Sequence, residues 1–422
     1  MSQKEKILLF LLAAINFTHI LDFMIMMPLN PQLSVIFNIN QQQFSLLVSS
    51  YTFSAFFSGI IAAFFVDGFD RKKVLLFGYA GFIIGTIGCA LSPSYHILLI
   101  ARIVAGLFGG LIGAQVLSIV GDNFSYERRA TAMSFLTSAF SVASVVGVPL
   151  GLYLATLTSW HAPFLLVGCV GVVIFFMVIK YVPSMADHLQ STVKRKPSDA
   201  FVNVYKSKNQ QRALLLSITM MIGHFSIIPF IAKYLVTNVG FSNYDVSLVY
   251  LIGGGATIFT APLVGMIADK KGKFPVFAVM CCLCLIPVFL ITNMPPISIF
   301  LALAITTLFF IFVSGRMIPM QAMVTSVVSP QQRGGFMSIN SSLIQLGSGL
   351  AALIAGTIIF ETPEHKLIHY DYVGYMGMAA TIICIFIARK LKMATQEPAT
   401  TFESIQTNQL IPAEQIVIDQ VD

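Results

Sequence analysis

The sequence predicts an all-α membrane protein, with twelve transmembrane helices arranged as two pseudo-symmetric six-helix bundles. Three observations carry this expectation. First, 56% of the residues are hydrophobic and only 10% are charged, with a mean hydropathy of +0.83; a soluble domain carries about 25% charged residues and could not be covered by so few. Second, twelve apolar runs approach the roughly 20 residues that cross a bilayer as a helix. Third, a charged turn between two apolar runs, Asp67-Gly68-Phe69-Asp70-Arg71-Lys72-Lys73, recurs as Asp269-Lys270-Lys271-Gly272-Lys273, 202 residues further on. Arg129 through Ser134 echoes Arg333 through Ser338 at an offset of 204 residues. A fixed echo near half the chain length marks a duplicated architecture.

In order, the spans are Ile7–Leu29, Phe44–Val66, Val74–Leu91, Ile97–Val120, Thr131–Leu157 and Pro163–Val182, then Ala213–Val236, Val246–Ala268, Phe274–Ile291, Ile297–Val324, Phe336–Phe360 and Tyr372–Ile387. They are numbered 1 to 12 below. The halves are therefore 1–182 and 212–390, joined by a polar linker at 183–211 and followed by a flexible tail at 391–422. Basic residues cluster at 4–6, 71–73, 128–129, 194–196, 206–212, 270–273 and 389–392, all on one side; the other side receives Lys233 and Lys366. The positive-inside rule then puts both termini in the cytoplasm of a bacterial cell, with the spans in its plasma (inner) membrane. Trp160, Tyr370, Tyr372 and Tyr375 fall at the expected outer interface, where amphipathic rings prefer to sit.

The net charge of +7 does not indicate a nucleic-acid partner, because the basic residues sit in short loops and form no basic face. All six cysteines lie within apolar spans and read as small hydrophobes. No metal site and no cofactor are expected.

A charged group inside a bilayer is expensive unless paired or hydrated, so each one is a functional candidate. Asp22 is the acidic residue deep in a span; Arg102 and Arg316 are the basic ones. At about 1.5 Å per residue, Asp22 lies roughly 22 Å above the cytoplasmic edge of span 1, and Arg102 roughly 8 Å below the outer edge of span 4. In a core about 30 Å thick these depths nearly coincide, so the two can pair. A pair that opens when the carboxylate takes a proton is a coupling device; a permanent pair fixes packing. His19 and His224 stand 205 residues apart, at equivalent places in spans 1 and 7. His19, Asp22 and Met26 share a stripe of about 60° that Asn16 extends, and Ser338, Ser341, Gln345 and Ser348 share a face of span 11. These residues are candidates for a central substrate cavity. Arg316 either meets an anionic substrate group or bonds carbonyls and water.

The charged turn, the span 4 pattern Arg102…Gly106…Gly109-Gly110 and the span 5 stretch Gly147-Val148-Pro149-Leu150-Gly151 resemble the major facilitator superfamily. The likeness is to its drug:proton antiporter branch and the neighbouring sugar-efflux-like permeases. In the loop between spans 2 and 3, Asp67, Arg71 and Lys72 match the family signature, while Ala63 and Asp70 replace its two glycines; Gly265, Asp269, Gly272 and Lys273 match in the second copy. The resemblance implies a cytoplasmic latch of Asp67, Arg71 and Asp122, with Asp269 and Lys273 as its counterpart, and a role for Arg102 in proton transfer. In the span 5 motif Val148 separates Gly147 from Pro149, as on the efflux-permease side.

The resulting expectation is a secondary active transporter working by alternating access. It would act as a monomer, with the proton as coupling ion, exporting a small organic compound such as a drug, metabolite or sugar-like molecule. Proton-coupled import or uniport of a nutrient is the alternative within transport, and a transporter-derived receptor stands further off. Enzymatic activity is not expected: neither His-Glu-x-x-His nor Gly-x-Ser-x-Gly occurs, and no Walker-type loop suggests ATP drive.

Overall fold

The computed structural model of the chain describes residues 3–65, 68–124, 142–186, 198–329 and 333–392, with Ala132, Phe135, Leu136 and Ala139. Among these, eleven helices are long and apolar enough to cross a membrane. Spans 1 to 4 are Gln3–Ile25, Gln41–Phe65, Arg71–Ala90 and Tyr95–Asn123. Span 6 is His161–Tyr181, and span 7 runs within Lys208–Val239. Spans 8 to 12 are Asn243–Lys271, Lys273–Thr292, Ile299–Thr325, Arg333–Ile358 and Tyr370–Arg389. The described part of span 5 is the shorter apolar helix Ala143–Leu157.

The packing repeats itself. Span 4 packs on spans 2 and 3, and span 6 on spans 1 and 3; span 10 packs on 8 and 9, and span 12 on 7 and 9. Adding six to every number turns the first set into the second. Span 2 meets span 11 and span 5 meets span 8, and the same shift exchanges these two contacts between the halves. The twelve-helix, two-bundle architecture expected from the duplicated turn is the one observed.

The apolar core is divided unevenly. One cluster fuses the halves, taking in Ile25, Leu33 and Phe44 of the first with Phe230, Val249 and Tyr370 of the second. The two larger of the remaining clusters stay within single halves: Leu12, Tyr79 and Ile112 belong to one, Leu216, Phe277 and Phe336 to the other. The separate clusters lie toward the face carrying Gln3, Arg71, Lys208 and Arg389, called here the basic face; the fused cluster lies toward the opposite face. The halves thus share one buried apolar cluster toward the opposite face and keep separate clusters toward the basic one. At the basic face a short linker helix, Ser198–Lys206, packs under spans 7 and 11, and its Phe201 stacks on Phe64 of span 2 at 5.6 Å.

Spans 1 and 7 both break at proline. Span 1 stops at Ile25, ahead of Pro28, and a short helix Asn30–Ile36 follows. Span 7 stops at Phe225 and resumes as Ile228–Tyr234 with Pro229 in its first turn. Proline interrupts the helical hydrogen-bond ladder in each case, and at the span 7 break two backbone carbonyls take side-chain donors. Tyr370 Oη donates to Ile227 O at 3.0 Å, and Asn30 Nδ2 donates across the halves to Pro229 O at 3.1 Å.

Two sequence expectations need correction. Trp160 is not an interfacial ring facing headgroups: it is 3% exposed, covered by Phe37 and Phe164. Tyr370 is likewise buried, while Tyr372 and Tyr375 are exposed. Span 7 also begins at Lys208 rather than Ala213, because Ser207 caps a polar first turn that hydropathy ignores; its Oγ accepts from Gln210 N at 3.3 Å.

Asp70, which stands where the family signature has glycine, has work of its own. Its carboxylate caps span 3 by accepting from Lys72 N at 2.8 Å, and it also accepts from Met185 N at 3.0 Å and from Ser184 Oγ. Burial acts to raise the Asp70 pKa, but these hydrogen bonds outweigh it and hold the carboxyl below its ordinary range. A depressed folded-state pKa contributes stability above the unfolded value of about 3.9 and loses it as the pH falls through the folded value. Asp70→Ala should therefore cost about 1 kcal/mol at neutral pH. In thermal unfolding of the purified protein, its gap to wild type should close as the medium is acidified below the ordinary Asp range.

Candidate functional site

Span 1 carries Asp22 one turn before its proline break, and span 4 brings Arg102 to the same level. Both side chains are 0% exposed, and Arg102 Nη1 meets Asp22 Oδ2 at 2.8 Å. The same nitrogen donates to Asp22 O at 3.3 Å, and Thr86 of span 3 donates to Asp22 Oδ1 at 3.0 Å. The guanidinium lies 4.3 Å from the centroid of the Tyr51 ring on span 2, a cation–π contact. Each carboxylate oxygen therefore has a donor, while Arg102 Nε and Nη2 have no hydrogen-bond acceptor among the described residues. A proton arriving on Asp22 would remove the charge attraction and leave Arg102 with the tyrosine ring.

His19 and Tyr51 extend this centre. Their rings are 6.1 Å apart, Phe82 flanks His19 at 5.7 Å, and neither His19 Nε2 nor Tyr51 Oη has a partner. Both atoms converge on Gly109, where an added Cβ would lie 2.7 Å from Tyr51 Oη and 2.8 Å from His19 Nε2. Asn16 Nδ2 donates to Leu136 O on span 5 at 3.1 Å. Toward the second half, Phe23 stacks on Tyr51 at 5.4 Å and meets Phe225 at 5.6 Å, and Phe225 adjoins the His224 ring at 4.9 Å. The two histidines thus belong to one aromatic chain crossing between the halves. Met26 does not join it: it is fully buried in the fused apolar cluster. Ser341 is exposed and Gln345 half-buried on span 11. Tyr51 and Thr86, both missed from sequence, sit in apolar runs with no partner visible in the chain order.

The expected latch is seen only in fragments. Asp67 and the side chain of Asp122 lie outside the described residues, and Arg71 is buried with its backbone N–H donating to Met185 O. In the second copy, Asp269 is exposed and Lys273 is half-buried, with no ion pair to either among the described residues; Gly272 at φ 94° supplies the left-handed turn between their helices. The span 5 motif is better resolved. Val148 N–H donates to Ala143 O, five residues back, so Ala143–Gly147 is a π-helical turn just before Pro149. Gly147 and Gly151 face span 1, and an added Cβ would lie 2.8 Å from Leu21 and 2.6 Å from Ile25.

A second polar network closes the opposite face. Glu361, between spans 11 and 12, pairs with Lys233 Nζ at 3.3 Å and with His365 Nδ1 at 2.9 Å. Across the halves, Gln41 Nε2 donates to Glu361 Oε2 at 3.1 Å. Gln41 Oε1 in turn accepts from Asn30 at 3.1 Å, and Ser34 Oγ donates to Asn30 at 2.8 Å. Lys233 is 2% exposed, so the carboxylate compensates a buried ammonium. Burial acts to raise the Glu361 pKa, but His365, Lys233 and Gln41 together hold it below the usual range.

Comparison with known proteins agrees with this architecture. The profile of the Major Facilitator Superfamily matches residues 12–317, and that of an MFS_1-like family matches 222–415. The uncharacterized MFS-type transporter YceJ of Bacillus subtilis is 23% identical over 82% of this chain and 87% of its own. A probable sugar efflux transporter of Helicobacter pylori is 24% identical over 84% of this chain and 87% of its own. Among solved structures, the D-xylose–proton symporter superposes with a TM-score of 0.76 at 15% identity, covering 93% of this chain and 100% of that one. A bacterial homologue of the human lysosomal transporter Spinster superposes with a TM-score of 0.69 at 18% identity, covering 92% and 96%.

The clasp at Glu361 predicts unequal effects from its two charged members. Glu361→Ala strands the buried Lys233 ammonium and should cost the closed opposite face about 3–5 kcal/mol. Lys233→Met removes the buried charge instead and should cost far less. The readout is maleimide labelling of a cysteine at Ser45, a buried position of span 2 against Gly356 of span 11, with Cys169 and Cys282 replaced by serine. Labelling should accelerate strongly in Glu361→Ala and weakly in Lys233→Met.

Proposed function

The chain belongs to the major facilitator superfamily, and we propose that it is a secondary transporter that exports a small organic compound in exchange for protons. The observation that carries this reading is the fully buried Asp22–Arg102 pair, in which the carboxylate is held by two partners and the guanidinium keeps unpaired donors. The likeness to probable sugar efflux transporters of Helicobacter pylori supports efflux and a sugar-like or related polar compound as cargo. The positive-inside rule makes the basic face cytoplasmic, so the face closed by the shared apolar cluster and the Glu361 clasp is the outer one.

In the proposed cycle, cargo enters from the cytoplasm against the aromatic chain of His19, Tyr51, Phe23 and His224, and the halves rock about the contacts of spans 2 with 11 and 5 with 8. Opening of the outer face requires release of the Glu361 clasp. A proton from outside then neutralises Asp22 and frees Arg102 while cargo leaves, and return to the inward state delivers the proton to the cytoplasm. The breaks in spans 1 and 7 and the π turn of span 5 lie where such rocking must be absorbed. No ATP is consumed, and the proton is the coupling ion.

The test needs no identified cargo. In proteoliposomes, acidifying the outer side should increase maleimide labelling of a cysteine at Ser45 in the chain that lacks only the exposed Cys169 and Cys282. Asp22→Asn, which is permanently neutral, should label at one rate whatever the pH. A pH response that persists unchanged in Asp22→Asn would remove Asp22 from the coupling role.

A further inference from the structure

The two halves match in packing and differ in charge. In the first half the buried guanidinium has a carboxylate. The 205-residue offset that carries His19 onto His224 carries Asp22 onto Ile227, so the second half has no acid at the corresponding place. It nevertheless buries Arg316 of span 10, at 0% exposure. Arg316 Nη1 donates to Thr381 Oγ1 at 2.7 Å and Nη2 to Gly223 O at 3.5 Å, while Nε has no acceptor. No carboxylate of a described residue pairs with it.

A guanidinium offers five N–H donors and carries its charge at any physiological pH. Two neutral acceptors leave it under-coordinated, and an uncompensated charge within a bilayer is costly. The groups around it are neutral. His224, next to Gly223, is half-buried and has its own Nδ1 buried without a partner among the described residues. The thiols of Cys281 and Cys384 lie in the apolar cluster of this half. What this half lacks is one anionic group with two oxygens, the geometry that guanidinium binds in a bidentate way.

We infer that the transported compound is an organic acid whose carboxylate docks on Arg316, entering past His224 between spans 7 and 10. This inference rests on the transporter reading and deepens it by naming the substrate class. It also separates the two arginines: Arg102 answers to the protein's own carboxylate, and Arg316 to the carboxylate of the cargo.

The experiment uses the full chain in nanodiscs. Thermal unfolding is followed with benzoate, hexanoate, lactate and pyruvate, and with the matched amide of each, at constant ionic strength set by sodium chloride. At least one carboxylate should raise the unfolding temperature saturably while its amide does not. Arg316→Gln should weaken that binding by about tenfold or more, as loss of a charged hydrogen-bonding partner does, and Arg316→Lys should weaken it less. Without ligand, Arg316→Gln should unfold at or above the wild-type temperature, because it removes an uncompensated buried charge; a purely structural arginine would give the opposite result. The inference is overturned if no carboxylate stabilises the protein, if the amides act equally, if the effect survives in Arg316→Gln, or if chloride alone reproduces it. PH-driven exchange of accessibility at Ser45 is read without ligand, so it can succeed while this inference fails.

Discussion

The pairing of Asp22 with Arg102 ties together much of the first bundle. It links spans 1 and 4 directly, span 3 through Thr86 and span 2 through the Tyr51 ring. Removing two charges from water costs several kcal/mol per ion, and the remaining attraction repays this only when both partners stay well placed. That balance makes the pair a poor source of stability and a suitable switch. A neutralised Asp22 would leave the Arg102 charge where it can be tolerated only by moving toward water or toward the ring. A proton on Asp22 would thereby act on contacts that join four helices.

The uneven division of the apolar core gives such a switch something to act on. One cluster crosses between halves toward the opposite face, and two remain separate toward the basic face. Buried apolar surface stabilises a closed face by roughly 25 cal/mol per Å², but it is indifferent to small sliding movements. The Glu361 clasp adds direction, since Gln41 and Asn30 of one half reach acceptors on the other at fixed angles. Closure toward one face is thus built from a non-directional seal and a directional catch, and opening must defeat both.

The sequence revealed what depends on regular geometry and concealed what depends on loops. Asp22 and Arg102 could be matched in depth because every helical residue advances by the same rise, and the duplicated turn announced two equivalent halves. The catch was hidden because Gln41 and Glu361 stand 320 residues apart, each at a helix boundary where no periodicity constrains direction. Trp160 was misread for a related reason: hydropathy places a ring at a depth but cannot say that Phe37 of a distant loop covers it. Tyr51 looked like one more aromatic residue in an apolar run, and its meaning came only from what lay over its ring. Asp70, a departure from the family signature, proved to be a helix cap tied to Ser184 and Met185.

The duplication also explains why the halves need not be chemically alike. Packing constrains the shape of both copies, so the helix contacts and the proline breaks of spans 1 and 7 recur under the six-span shift. Charge is constrained only by neutrality of the working complex, which includes whatever the protein carries. One half can therefore balance its arginine internally while the other leaves its arginine to be balanced from outside. A carrier built this way distinguishes loaded from empty by electrostatics, because its empty second half retains an unsatisfied cation that cargo relieves. On this view the asymmetry between Asp22 and Ile227 is where one duplicated scaffold came to hold two different ligands, a proton on one side and a compound on the other.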